Sequence, residues 1–430
     1  MPSTATDERT NVAGVLRRAG FGPSPGQLDA GLAPTLDALM DPDAHGVPVA
    51  PDPWLGVDLA SYDPTAKGGG NKQLIAVTIG AWLESMATTP RPFEAWMRWF
   101  WHGHFVSSIR TVKYPALMVQ QLRMFGDLGL GDLRTLLKAV TLDPAMLIYL
   151  DGVTNRRDGV NENYGREVLE LFSLGVGHYT EDDVRAGAEA LTGWRVQGKT
   201  NTTAQAIFEP KRHDDTAQTY LGRSGVHDVD TVVDAIVNHP ACAPFITAKL
   251  ARAVLGPTVD PALIDRLAAD FAASGLQIRP LMRSIVEAVD ASTELVVAPV
   301  PWLVSMIKAT GVPVAAAITG TAKSGLIPAG QVPFDAPNVA GWPGGRAWLS
   351  ASTTVARFNM ASTLAVLAPE DGPARRAARR GDVDALADAL GHPGGFSAGT
   401  RAAITDLASH DPNGSGRLAV AMASADVAVA

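Results

Sequence analysis

Apolar residues recur at three- and four-residue spacing along most of the chain, and the stretches they mark begin and end on helix signals. TNVAGVLRRAGFG reads as a helix that stops at Gly20 and Gly22 with Pro23 beyond. SPGQLDAGL predicts a second helix from near Ser24. Further helices are predicted over 74–87, 91–107, 113–125, 132–142, 163–174 and 180–192, then over 228–238, 244–255, 261–274 and 278–288. At 180–192 the start is well marked, because Thr180 can cap the first turn while Glu181, Asp182 and Asp183 complement the helix dipole.

Three stretches break this pattern. Residues 41–70 hold Pro42, Pro48, Pro51, Pro53 and Pro64, so a Pro/Gly-rich loop is predicted. Over 205–222, QAIFEP and QTYLG flank the polar KRHDDTA and read as the two arms of one short β-hairpin. The stretch 324–348 cannot be helical through Pro328, Pro333, Pro337 and Pro343. The expected fold class is mainly α, a multi-helical globular protein with one short β-hairpin and a Gly/Pro-rich loop. Its segments are N-terminal helices over 1–40, the loop over 41–70, a helical core over 71–365 and Ala-rich helices over 366–430.

Composition narrows the function classes. With 46% hydrophobic and 19% charged residues the chain is expected to fold nearly throughout. The formal charge of −8 argues against nucleic acid, and the densest basic run, Arg375, Arg376, Arg379 and Arg380, reads as a solvated helix face. Cys242 is the single cysteine, which excludes an intramolecular disulfide and a Cys-based zinc site. No signal-like segment and no run of about 18 apolar residues is found, so a cytoplasmic protein without membrane contact is expected.

Four polar blocks carry the candidate chemistry. WMRWFWHGHFVSS places His102 and His104 among aromatic residues; two apart on a helix they face away from each other, and could share an ion only if Gly103 broke the helix. On a helical wheel of NENYGREVLELF, Glu162, Arg166, Glu167 and Glu170 share one face. That face is either a solvated stripe of i,i+4 ion pairs or, if buried, a set of carboxylates that needs partners. Glu167 and Glu170 could supply metal oxygens with His102, His104 or His213 as nitrogen donors, although no Glu-x-x-His spacing is present. RHDDTA puts His213 and Asp214 at the expected hairpin tip, a general base and its orienter, or simply turn residues. With Glu167 and Arg166 they make up the candidate catalytic set. APNVAGWPGGRAW offers Asn338, Trp342 and Trp348 as a ligand-binding lip or as a packed structural loop. G-x-S-x-G, HEXXH and phosphate-loop patterns are absent.

In order along about 11–365, RAGFGPSPGQLDA, the blocks from FWHGHFVSS to RHDDTAQTYLG, and GQVPFDAPNVAGWPGGRAWLSASTTVARFN resemble the bacterial family of domain of unknown function 1800. The resemblance implies a shared set of polar blocks and no particular reaction. Two functions are expected from the residues. One is an enzyme with a His/Glu/Asp cleft doing divalent-metal-assisted or acid/base chemistry on a small or oligomeric polar substrate. The other is a non-catalytic scaffold or accessory protein that meets a protein partner through its Trp-bearing loop.

Overall fold

The computed structural model describes residues 5–24, 26–63, 70–199, 203–321, 325–407 and 410–430. Part of the predicted 41–70 loop, Pro25 in the predicted second helix and Ser324 at the start of the later loop lie outside the described residues.

The chain is mainly α. Helices α1 (Ala5–Ala19), α2 (Leu32–Met40), α3 (Gly70–Thr88), α4 (Pro92–His104), α5 (Ile109–Val112), α6 (Pro115–Leu128), α7 (Leu133–Thr141) and α8 (Pro144–Tyr149) come first. They are followed by α9 (Asn163–Glu170) and α10 (Glu181–Ala190). Between Gly22 and α2 only a 3-10 turn, Gln27–Asp29, forms, so the helix expected from Ser24 starts later. Gly26 and Gly31, at φ 83° and 82°, hold the backbone in the left-handed region there and interrupt the spiral.

Two small ribbons replace the single expected hairpin. Strand β1 (Trp194–Gln197) pairs antiparallel with β2 (Gln205–Phe208), and β3 (Gln218–Tyr220) with β4 (Arg223–Val226). The two expected arms therefore belong to different ribbons, and RHDD lies on the connection between them. Leu221 and Gly222, at φ 49° and 74°, form the tight two-residue turn that joins β3 to β4. The backbone N–H of Leu221 donates to Asp183 Oδ1 (2.7 Å) and helps hold that turn.

The remaining helices are α11 (Val229–Val237), α12 (Cys242–Leu255), α13 (Pro261–Ala273), α14 (Ile278–Glu287), α15 (Pro299–Thr310) and α16 (Val314–Thr321). After the Gly/Pro-rich loop come α17 (Ala351–Leu367), α18 (Pro373–Arg380), α19 (Val383–Ala389), α20 (Ala398–Asp406), α21 (Ser415–Ala423) and α22 (Ala425–Ala428). One apolar core joins α1 to α14 and takes in Phe334 from the loop. A second, built on Trp302, Met306, Leu364, Leu418 and Met422, packs α15 and α17 with the Ala-rich helices beyond them.

Polar caps and buried networks set the joints between helices. Arg91, ahead of α4, ion-pairs Asp43 (2.6 Å) and donates to the carbonyls of Val47 and Pro48, which fastens the Pro-rich loop. Asp143 caps α8 through the Met146 N–H (2.8 Å) and also accepts from Gln121 Nε2 (2.8 Å), which in turn donates to Ser107 Oγ (2.9 Å). Burial pushes this carboxyl up to about 7, against the pull of those donors.

Candidate functional site

The site grows from helix α4, PFEAWMRWFWHGH, which opens with Pro92 at its first position. Phe93, Trp96, Phe100 and His104 recur at spacings of three, four and four, so their rings stand above one another on one face. Successive centroids are 6.5, 5.9 and 5.9 Å apart with interplanar angles of 8°, 18° and 11°. Trp99, on the neighbouring face, stacks on Trp342 of the Gly/Pro-rich loop at 5.4 Å and 19°. Gly341 makes that docking possible: at φ 86° it lies so close to α4 that a Cβ would sit on the carbonyl oxygen of Gly103.

Ladder and loop form two sides of a cleft of about 650 Å³. Trp96, Phe100 and His104 contribute the aromatic wall, and Trp342 and Trp348 the roof. Residues 295–298, which lead into α15, and Pro301 in its first turn form another side.

Every ionised side chain lining the cleft is cationic: Arg17 and Arg18 from α1, Lys249 and Arg252 from α12, and Arg346 from the loop. None of the five pairs with an Asp or Glu side chain within salt-bridge distance among the described residues. Arg18 donates to the Val254 carbonyl, to Thr293 Oγ1 and to an oxygen of Ala430, and burial lowers its pKa with the charge of Asp290 opposing. Arg17 donates to the Gly391 carbonyl and meets the His392 ring; burial, with Arg18 adding, lowers its pKa to about 10. Burial and then Arg252 also lower that of Lys249. Gln331 is buried, and its Oε1 accepts from the Val300 N–H (2.8 Å), which leaves its amide N–H groups as donors at the cleft.

The two histidines of α4 have separate surroundings, since Gly103 does not break the helix. His102 Nε2 accepts from the Phe334 N–H (3.1 Å), and its ring packs against Trp82 and Trp342. Burial lowers its pKa to about 3. His104 Nε2 donates to the Phe172 carbonyl (3.0 Å). Burial, with Lys249 adding and the Phe172 bond opposing, lowers its pKa to about 3 as well. Both rings are neutral at pH 7.

The acidic block at α9 lies elsewhere. Arg166 reaches across to α10 and grips Glu181 with two bonds (2.8 and 2.7 Å), while Glu162 is a looser partner at 3.4 Å. Glu170 accepts from Tyr179 Oη (2.6 Å) instead of pairing with Arg166. Burial and the neighbouring Glu170 raise the pKa of Glu167, with Arg166 opposing. On the connection between the ribbons, His213 Nδ1 donates to the Thr192 carbonyl (3.0 Å), whereas Asp214 turns to the Thr216 N–H (3.0 Å). His213 is thus oriented by a backbone carbonyl and not by Asp214. Asn338 caps its own turn by accepting from the Ala340 N–H (2.9 Å) and does not line the cleft.

Among the described residues no three His, Cys, Asp or Glu side chains are grouped to hold a metal ion. The expected ligands His102, His104, Glu167 and Glu170 are divided among three environments, and no partner is shared by His213, Glu167 and either of these histidines. Of the expected residues, His104, Trp342 and Trp348 are brought to one place.

Residues 14–428 match the family described as a protein of unknown function, DUF1800. The chain belongs to the DUF1800 family. Neither a curated protein nor a solved structure matches it. No helix among the described residues of this DUF1800 chain is long and apolar enough to cross a membrane.

Sequence reasoning missed the cations of the cleft. One signal was available: α12, CAPFITAKLARAVL, carries Lys249 and Arg252 three apart with no acidic residue on the same helix to answer them. Gln331 left no comparable trace.

Proposed function

We propose that this DUF1800 chain binds an organic anion with a flat or apolar body in the cleft between α1, α4, α12 and the Gly/Pro-rich loop. The observation that carries this reading is the charge of the lining: five cations and no Asp or Glu side chain, in a chain whose formal charge is −8. Cations beside a low-dielectric aromatic wall concentrate positive potential at that spot and gain most from an anionic partner. The tryptophans add flat contact area, and the volume is in the range of small-molecule sites. Function is thereby assigned away from the expected His213 and Glu167 pair, and the Trp-bearing loop becomes the roof of a ligand site.

The test compares two fluorescent probes of nearly the same shape, anilinonaphthalene sulfonate and the neutral N-phenylnaphthylamine. The sulfonate is expected to bind at one site at least about tenfold more tightly, and to weaken as salt is added. The pair Lys249→Met and Arg252→Met should weaken the sulfonate and leave the amine unchanged. Equal affinity for both probes, or no effect of the double substitution, would overturn the assignment.

A further inference from the structure

The polar side chains around the cleft differ in what they can offer a ligand. Arginine, lysine and tryptophan are donors only. Gln331 has committed its oxygen to the Val300 N–H and presents its amide hydrogens. His104 is different. Its Nε2 carries the proton, because that nitrogen faces the Phe172 carbonyl at 3.0 Å, and a carbonyl can only accept. His104 is 9% exposed as a residue, and a second positive charge beside Lys249 is disfavoured. Nδ1 therefore keeps its lone pair; no hydrogen bond reaches it among the described residues and it is not one of the fully buried unpartnered atoms, so it keeps contact with solvent on a residue that lines the cleft.

We infer that His104 makes the cleft selective for ring anions that also carry a hydroxyl or N–H donor. This rests on the anion-binding reading above and names the ligand class more narrowly: a hydroxylated or amino-substituted aromatic acid. The acid group meets the arginines and Lys249, the ring lies along Trp96 and Phe100, and the donor points at Nδ1. An anion without the donor would expel water from Nδ1 and return nothing, which leaves a buried acceptor unmade. His104 acts here as a specificity residue.

Hydroxynaphthoate and the naphthoate lacking the hydroxyl are titrated into the full chain, with tryptophan fluorescence as the readout. Wild type should hold hydroxynaphthoate about tenfold more tightly, the yield of one net hydrogen bond. In His104→Phe the two should bind equally, at the naphthoate affinity of wild type. A purely structural role for His104 would weaken both ligands together. Equal affinities in wild type, or a preference that survives in His104→Phe, would overturn the inference while the anion cleft stands. Binding of neither compound would overturn both. Should His104→Phe fail to fold, nitrogen NMR of histidine-labelled wild type decides. One lone-pair nitrogen must shift on addition of hydroxynaphthoate and not of naphthoate, and its failure to shift counts against the inference.

Discussion

Replacing Asp143 by Asn should change the pH dependence of stability in a direction that its surroundings dictate. The carboxyl is pushed up to about 7 by burial, whereas an unfolded aspartate titrates near about 3.9. Across that interval the native chain holds a proton that the unfolded chain has lost. The stabilisation linked to it is fully present below about pH 4 and is lost as pH rises through about 7. Between about pH 5 and about pH 8 the loss amounts to about 2.5 kcal/mol. Asparagine has no such linkage, can still cap α8 at Met146, and keeps an oxygen for Gln121. For 430 residues, at about 2.1 cal/mol/K of unfolding entropy per residue, the difference corresponds to about 3 °C in Tm. Calorimetry of both proteins at the two pH values is the assay. The Tm of D143N minus that of wild type should rise by about 3 °C from the lower pH to the higher. His102 and His104, buried and neutral, affect both proteins alike and cancel. A gap that stays constant, or moves the other way, would refute the account of Asp143 as a carboxyl protonated by burial.

Arg166→Met should cost under about 1 kcal/mol in urea denaturation, because Arg166 and Glu162 are 34% and 38% exposed and water screens their pair; a loss near 3 kcal/mol would mean that the acidic face is buried. Gly341→Ala should lower stability by more than about 1 kcal/mol and weaken anilinonaphthalene sulfonate, since the new methyl meets the Gly103 carbonyl and lifts Trp342 from Trp99. Gly344→Ala, at φ −117° with open space around it, should keep the wild-type melting temperature; equal behaviour of the two glycine variants would refute the docking role of Gly341.

Most of the helices could be read from the chain because their cues are local. Thr180 caps α10 as the sequence announces, with Asp183 returning the bond, and Pro92 opens α4. The stretch expected to resist helix formation has no α-helix between 325 and 350. Strand pairing was harder. QAIF and QTY both have strand-forming residues, but which arms join was decided by a turn at Leu221 and Gly222, and a leucine with positive φ is not a turn signal. The α9 face was grouped correctly, yet Arg166 found its tightest partner in Glu181, beyond the reach of any wheel drawn on one helix. The cleft was the least legible part. A lysine or arginine on a helix looks the same in sequence whether a carboxylate answers it or not, and the lack of an answer at Lys249 and Arg252 exists only after distant segments have met.

Helix α1 is tied to parts of the chain made much later. Arg18 bonds to residues 236, 275 and 412 positions away, and Arg17 to one 374 positions away. Loops of that length must close, at an entropic cost, before those contacts repay it, so docking of the early helix is expected late in folding. Refolding followed by far-ultraviolet dichroism should therefore run ahead of recovery of the cleft, and ligand capture would time the final step.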